Sequence, residues 1–450
     1  MQNITNYISN ILQNSVDDVY NKLPNETKDI LNNNINDIIN IFDPILKNIS
    51  FKSYNDNINY KLIERKKHFF DIIPNGFSSS KHILNMLNEI MVYNLKFNEY
   101  NIKITIYHND NDNINILNNN IKKIMVRIYN LLLLYKNKVY TRHNKKISLP
   151  NYEYVFYLYS NPRRSNGKLS GKEYLKNISN CPFKCFNVYS GQTMDDDLII
   201  YVSRLEEALG LLTHEALHAA GLIYMKYHEQ CLSSKNFNIF EMFTNAFASI
   251  IHSYLTSFET QTNVYDILKY EFYHALLHSV RISINTNITI MDIINGNNKW
   301  TQNALLYEYV NGRCLILLFF KYLYENEKYN KAMNNMLSLT DAWDIENNKM
   351  NLTAKKMIDD IHSKKTTEKY MEILESIHNI FLKNIELKKN DNKDSLNGNM
   401  IQQYFLHDTM EIEDKNKNTM LYGGKIDYKH KYFVYCKKYL RLLKKLSHHN

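Results

Sequence analysis

A chain of 450 residues can bury a sizeable core in one or two domains, and with 11 Gly and 6 Pro it has few strong breakers to interrupt long elements. The formal charge of +9 permits a nucleic acid, a membrane surface or an acidic partner and chooses none of them. Five cysteines, scattered and odd in number, exclude a secreted disulfide framework and favour a reducing compartment.

Met1 is not followed by a basic region and an apolar stretch, so no signal peptide is expected and the chain reads as intracellular. From Asn3 to about Asn48, Ile8, Ile11, Leu12, Val16, Val19 and Leu23, then Ile30, Ile35, Ile38 and Ile39, fit two amphipathic helices around a turn at Pro24 to Glu26. Between Phe97 and Tyr107, alternation of Tyr100, Ile102, Ile104 and Ile106 with polar residues predicts a half-buried strand. A long helix is predicted over Ile114 to Tyr135, and a second strand over Tyr152 to Tyr159. Asn109 to Asn120 is mostly Asn and Ile, a bias of the kind an AT-rich genome produces, and carries no functional weight.

Residues Ser160 to Gly191 read as a polar loop containing Cys181 and Cys185, whose C-x-x-x-C spacing has no second pair to complete a metal site. Leu198 to Val202 is an apolar, β-branched run that predicts a third strand, either internal or an edge on which an extended peptide could pair. A helix is expected from Arg204 to about Tyr227, and from Glu241 the chain is nearly all helix signal. The apolar run Cys314 to Phe320 is far short of the roughly 20 residues that span a bilayer, so no transmembrane segment is expected. A polar break at Lys388 to Asn399 precedes a tail rich in Lys, Arg and Tyr.

His214-Glu215-Ala216-Leu217-His218 matches H-E-x-x-H. Residues four apart project from one helix face, so two imidazoles can share a metal, while Glu215 on the flank can reach a water without ligating the ion. A catalytic zinc takes three protein ligands, so a third must lie downstream. The spacing H-E-x-x-H-x-x-G-x-x-H is met at Gly221 but fails at Tyr224. His228 and Glu229 become reachable only if the helix breaks at Gly221. Glu241 opens a new helix with an apolar stripe at Phe243, Phe247, Ile250, Ile251 and Tyr254, and Asn245, four residues on, shares its polar side. Glu241 is the ligand we expect, with Asn245 supporting the site.

The H-E-x-x-H helix, followed by a helix opening with Glu241 and running into Ala246-Phe247-Ala248, resembles the gluzincin branch of zinc peptidases. Asn187 to Thr193, Ile199 to Glu207 and the tail segment Tyr422 to Leu440 are similar to uncharacterised zincin-like proteins of large nucleocytoplasmic DNA viruses. The resemblance implies Zn2+ held by His214, His218 and Glu241, with Glu215 as general base acting on a protein or peptide substrate. It also implies a location in host cytoplasm or virion. Related enzymes often place an acidic residue where this chain has Asn245.

His274 and His278 repeat the four-residue spacing without the Glu, and Tyr224, Tyr227, His228, Tyr307 and Tyr309 are candidates for stabilising an oxyanion. The expected architecture is α+β and mainly helical. It comprises a helical N-terminal segment at 1–90, then a zincin-like catalytic domain at 91–385 with a small mixed sheet, an active-site helix and a helical subdomain. A polar linker and basic tail at 386–450 follows. A zinc peptidase is the leading reading. The alternatives are a non-catalytic virion or structural protein keeping a zincin fold, and a protein whose basic tail contacts nucleic acid or an acidic partner.

Overall fold

Among the described residues, eight strands appear in chain order: β1 (Tyr60–Lys67), β2 (Glu89–Phe97), β3 (Tyr100–His108), β4 (Val139–Arg142), β5 (Lys145–Ser148), β6 (Glu153–Tyr157), β7 (Gly191–Met194) and β8 (Ile199–Ser203). The computed structural model describes residues 16–68, 87–142, 145–158, 191–194, 198–203, 205–221, 239–286, 308–338, 357, 360–361, 368 and 371–380. All of these fall within one unit, Met1–Ile412, and the second unit, Glu413–Asn450, lies outside the described residues together with the basic tail.

Six strands form one mixed sheet in the order β1-β2-β3-β6-β8-β7, and β4 and β5 make a separate antiparallel ribbon. β3, β6 and β8 are parallel neighbours, while β1, β2 and β7 run antiparallel to theirs. The alternation in β3 does what a period of two requires: Ile102, Ile104 and Ile106 are buried while Asn101 and Lys103 are exposed. Asn98 makes the β2–β3 turn with a left-handed φ of 51°, which Asn tolerates better than most residues.

Two expectations change, and one alternative left open is resolved. β1 lies within the N-terminal stretch expected to be helical. It is a sheet edge with little buried surface, so Lys61, Glu64, Arg65, Lys66 and Lys67 show no apolar alternation to read. Of the two positions open to it, β8 takes the internal one, because the short strand β7, which begins at the end of the stretch read as loop, pairs along its outer side. The site helix ends at Ala219 rather than near Tyr227, for the reason given below.

The rest of the described chain is mostly helix: α1 (Asn25–Leu46), α2 (Ile114–Tyr135), α3 (Ala208–Ala219), α4 (Ile239–Thr260), α5 (Val264–Thr286), and the shorter α6 (Arg313–Leu318), α7 (Phe320–Glu325) and α8 (Glu327–Leu337). α2 starts where the Asn113 side chain accepts hydrogen bonds from the backbone N–H groups of Asn115 and Ile116, a cap worth about 1 kcal/mol. α3 packs against β7, β8, α2 and α4, so the sheet and two helices fix it. α4 is buried all round from Glu241 to Ser257, which makes it the central helix of the described fold. No described helix is long and apolar enough to cross a membrane.

α1 belongs to this core. Phe42 packs on Phe247 and Tyr254 of α4 and on Phe320 of α7, with ring centroids 5.7, 6.0 and 5.8 Å away, and Tyr254 donates a 2.8 Å hydrogen bond to Asp43. Phe42→Ala is therefore expected to cost about 3–5 kcal/mol of stability. A urea titration reads this as a lower midpoint at unchanged slope, and a midpoint within error of the unaltered chain would place α1 outside the folding unit.

Candidate metal centre

α3 carries the H-E-x-x-H residues on a helix buried along its whole length except at His218. Leu209, Leu212 and Ala216 supply the apolar back that packs it down. The helix stops because Gly221 adopts φ 66°, a left-handed conformation open to Gly at no steric cost, and its N–H bonds back to the carbonyl of His218. The chain thus leaves the helix within three residues of the second histidine. His228 and Glu229, the ligands that a break at Gly221 could have favoured, lie outside the described residues.

The structure brings His214, His218 and Glu241 together. His214 Nε2 and His218 Nε2 are 3.1 Å apart, and the Glu241 carboxylate oxygens lie 3.7 Å from the first and 3.5 Å from the second. A tetrahedral ion with ligands at about 2.05 Å separates neighbouring donor atoms by about 3.3 Å. The three observed separations bracket that tetrahedron edge. Among the described residues, this is the group of His, Cys, Asp and Glu side chains whose donor atoms converge in the way a metal ion requires. The side chains of His214 and Glu241 are 7 % and 10 % exposed and that of His218 is 21 %, so the approach from solvent is on the His218 side.

Electrostatics prepare the donors for a cation. Burial, and then the neighbouring His218, push the pKa of His214 down to about 3, so near neutrality its ring keeps a lone pair and has no proton to shed. Burial alone would raise the Glu241 carboxyl, but the charge and hydrogen bond of His218, with His214 behind them, hold it below its ordinary value. Two imidazole nitrogens and one carboxylate oxygen form a donor set suited to a divalent transition metal. Glu215, also buried, stands about 60° from His218 around the helix, on the flank expected of a base that is not a ligand.

Asn245 sits behind the ligands. Its side-chain N–H donates a 2.7 Å bond to the backbone carbonyl of Glu241, which leaves the amide oxygen to accept from the His214 ring, with which the side chain is hydrogen-bonded. A neutral amide thus holds the candidate ligand His214 where a carboxylate would add charge. Met242, beside Glu241, packs so closely on Gly312 that a Cβ there would meet the Met242 Cβ at 2.9 Å. Gly312 has ordinary helical angles, so the demand for Gly is steric and concerns packing on α4. Gly312→Ala is expected to cost about 1–3 kcal/mol and to weaken metal binding by shifting Glu241. Denaturant titration with and without zinc measures both, and unchanged values would show that α6 can move away freely.

The remaining candidates separate clearly. His274 and His278 are buried on α5 with ring centroids 5.5 Å apart, but they are not part of the converging donor group. Cys181, Cys185, Tyr224, Tyr227 and Tyr307 lie outside the described residues, as does the side chain of Tyr309. Cys314 is a buried free thiol, with its pKa pushed up to about 12 by burial. The sequence reading missed Arg127, His252 and Glu259, three fully or almost fully buried polar side chains next to α3. Two signals were present: a single Arg inside the apolar run Ile124 to Leu134, and a polar stripe at His252, Thr256 and Glu259 on an otherwise apolar helix.

A mixed sheet backing a helix that presents two histidines to a buried carboxylate defines a protein able to hold a metal ion. No family model matches the chain, and no curated protein or solved structure is significantly similar to it.

Proposed function

We propose that this protein is a zinc-dependent peptidase that cleaves internal peptide bonds. The observation that carries the reading is the convergence of His214 Nε2, His218 Nε2 and the Glu241 carboxylate, whose Oε2 lies 3.7 Å from the first and Oε1 3.5 Å from the second, with Glu215 one residue from His214. His214, His218 and Glu241 would hold the ion and leave one position open, the arrangement of catalytic rather than structural sites. Bound zinc supplies Lewis acidity, lowering the pKa of water and polarising the scissile carbonyl.

The chain's own residues do the rest. Glu215 takes a proton from the attacking water at its carboxylate and passes it to the leaving nitrogen. Asn245 holds the His214 ring and the first turn of α4, which keeps the donor atoms converged. β7 is the outer strand beside α3, with its far edge unpaired among the described residues, so an extended peptide added there would lie along the site helix. This moves the substrate-pairing role from β8, where it was first considered, to β7.

Incubation of the purified chain with casein and one equivalent of Zn2+ tests the proposal. Internal cleavage that stops with chelator and returns with zinc supports it. Absence of cleavage from a panel of unfolded proteins, in a chain shown to bind zinc, would favour the non-catalytic alternative.

A further inference from the structure

α2, α3 and α4 meet at one buried guanidinium, and its contacts fall on both helices that supply metal ligands. Arg127 of α2 is fully buried and forms a two-pronged pair with Glu259 of α4, Nε to Oε1 and Nη2 to Oε2, each at 2.7 Å. Nη2 also donates to the Thr256 hydroxyl at 3.0 Å. Nη1 faces α3, donating to the Leu209 carbonyl at 3.1 Å and to the hydroxyl of Thr213, the residue before His214, at 3.0 Å. The same nitrogen lies 2.8 Å from His252 Nδ1. A guanidinium has no acceptor, so His252 Nδ1 accepts, the two N–H groups of Nη1 are shared among three acceptors, and the His252 ring carries its proton on Nε2.

We infer that Arg127 is a positioning residue for the metal centre, clamping α3 to α4 so that His214 and His218 meet Glu241 at ligand distances. The inference rests on the metal reading of that centre. The geometry explains why a clamp is needed. Glu241 lies eleven residues from His252 along α4, about 16 Å of helix. A tilt of about 5° in α4 about the clamp would carry Glu241 roughly 1.4 Å, whereas metal–ligand distances tolerate about 0.2 Å. Only Arg has a rigid fork with enough donors to hold a carboxylate with two prongs and a second helix at once; Lys has three donors on one nitrogen.

The clamp is closed from the other side as well. Asn130, one turn further along α2, donates to Glu259 Oε1 at 3.2 Å, and the Tyr54 hydroxyl donates to Oε2 at 2.9 Å. Glu259 therefore accepts from three residues, and two of them, Asn130 and Tyr54, hold its carboxylate independently of Arg127. Removing one member of such a pair strands a buried charge, and replacing both members together avoids this.

The test compares the full-length unaltered chain, Arg127→Met/Glu259→Gln and Thr213→Val. Zn2+ affinity is measured against a competing chelator, the visible spectrum with bound Co2+, and the thermal midpoint without metal. The double variant is expected to fold with near-normal stability yet bind Zn2+ at least about 10-fold more weakly, with an altered Co2+ spectrum. Thr213→Val leaves the ion pair and the bond to the Leu209 carbonyl intact and removes only the hydroxyl half of the α3 anchor, so it reports even if the double variant does not fold; about fivefold weaker Zn2+ binding is expected. A clamp that served stability alone would leave affinity and spectrum unchanged in every folded variant, and that result overturns the inference while sparing the metal site. If the unaltered chain takes up neither Zn2+ nor Co2+, the metal reading itself fails and the inference falls with it.

Discussion

Replacing Glu215 with Gln is expected to lower kcat by about 10²- to 10⁴-fold, the usual contribution of a positioned general base, while zinc content stays at that of the unaltered chain. The two histidines and Glu241 converge without Glu215, so the ion has its three protein donors in the variant. Gln nearly matches Glu in shape and fills the same buried space in α3, but it cannot accept a proton from water. Measuring metal content and turnover on one preparation separates the roles. Full activity in the Gln variant would remove Glu215 from the mechanism, and loss of metal would make it a ligand.

Loss of a ligand should act on the metal first. His214→Ala and His218→Ala are each expected to leave a chain that copurifies with no zinc, since each removes one of the three donors that converge among the described residues. Glu241→Ala should weaken binding by about 10-fold or more, because it deletes the single anionic donor and the contact between α4 and the histidines. His228→Ala should leave affinity unchanged. Titration of all four with a competing chelator decides among them. Release of zinc by His228→Ala, with retention by Glu241→Ala, would transfer the third ligand to the segment after Gly221.

The site was more legible in the sequence than the sheet around it, for a physical reason. H-E-x-x-H states its geometry locally, since a helix fixes the angle between residues four apart. Glu241 could be singled out because it opens an apolar helix with Asn245 one turn on, and the structure places both beside His214. Sheet order depends on pairing between distant segments, and short strands such as β7, Gly191–Met194, carry too few residues for alternation to register. β2 escaped notice because its partner alternation continues through a turn at Asn98 that lacks the Asn-Gly signal.

The Arg127 cluster was illegible for a different reason. Arg127 and Glu259 stand 132 residues apart, and each alone reads as an ordinary charge on a helix. Their joint meaning exists only once α2 and α4 pack. Helix ends show the opposite case: Gly221 was visible as a breaker, yet the apolar residues beyond it extended the expected helix to Tyr227, and the left-handed conformation at Gly221 decided the matter.

The central claim is that His214, His218 and Glu241 hold one zinc ion. Elemental analysis of the chain, purified without chelator and dialysed against metal-free buffer, tests it most directly. The account predicts close to one zinc per chain, absent from His214→Ala prepared in parallel. A folded chain that retains no zinc and takes none up from micromolar solution would contradict it.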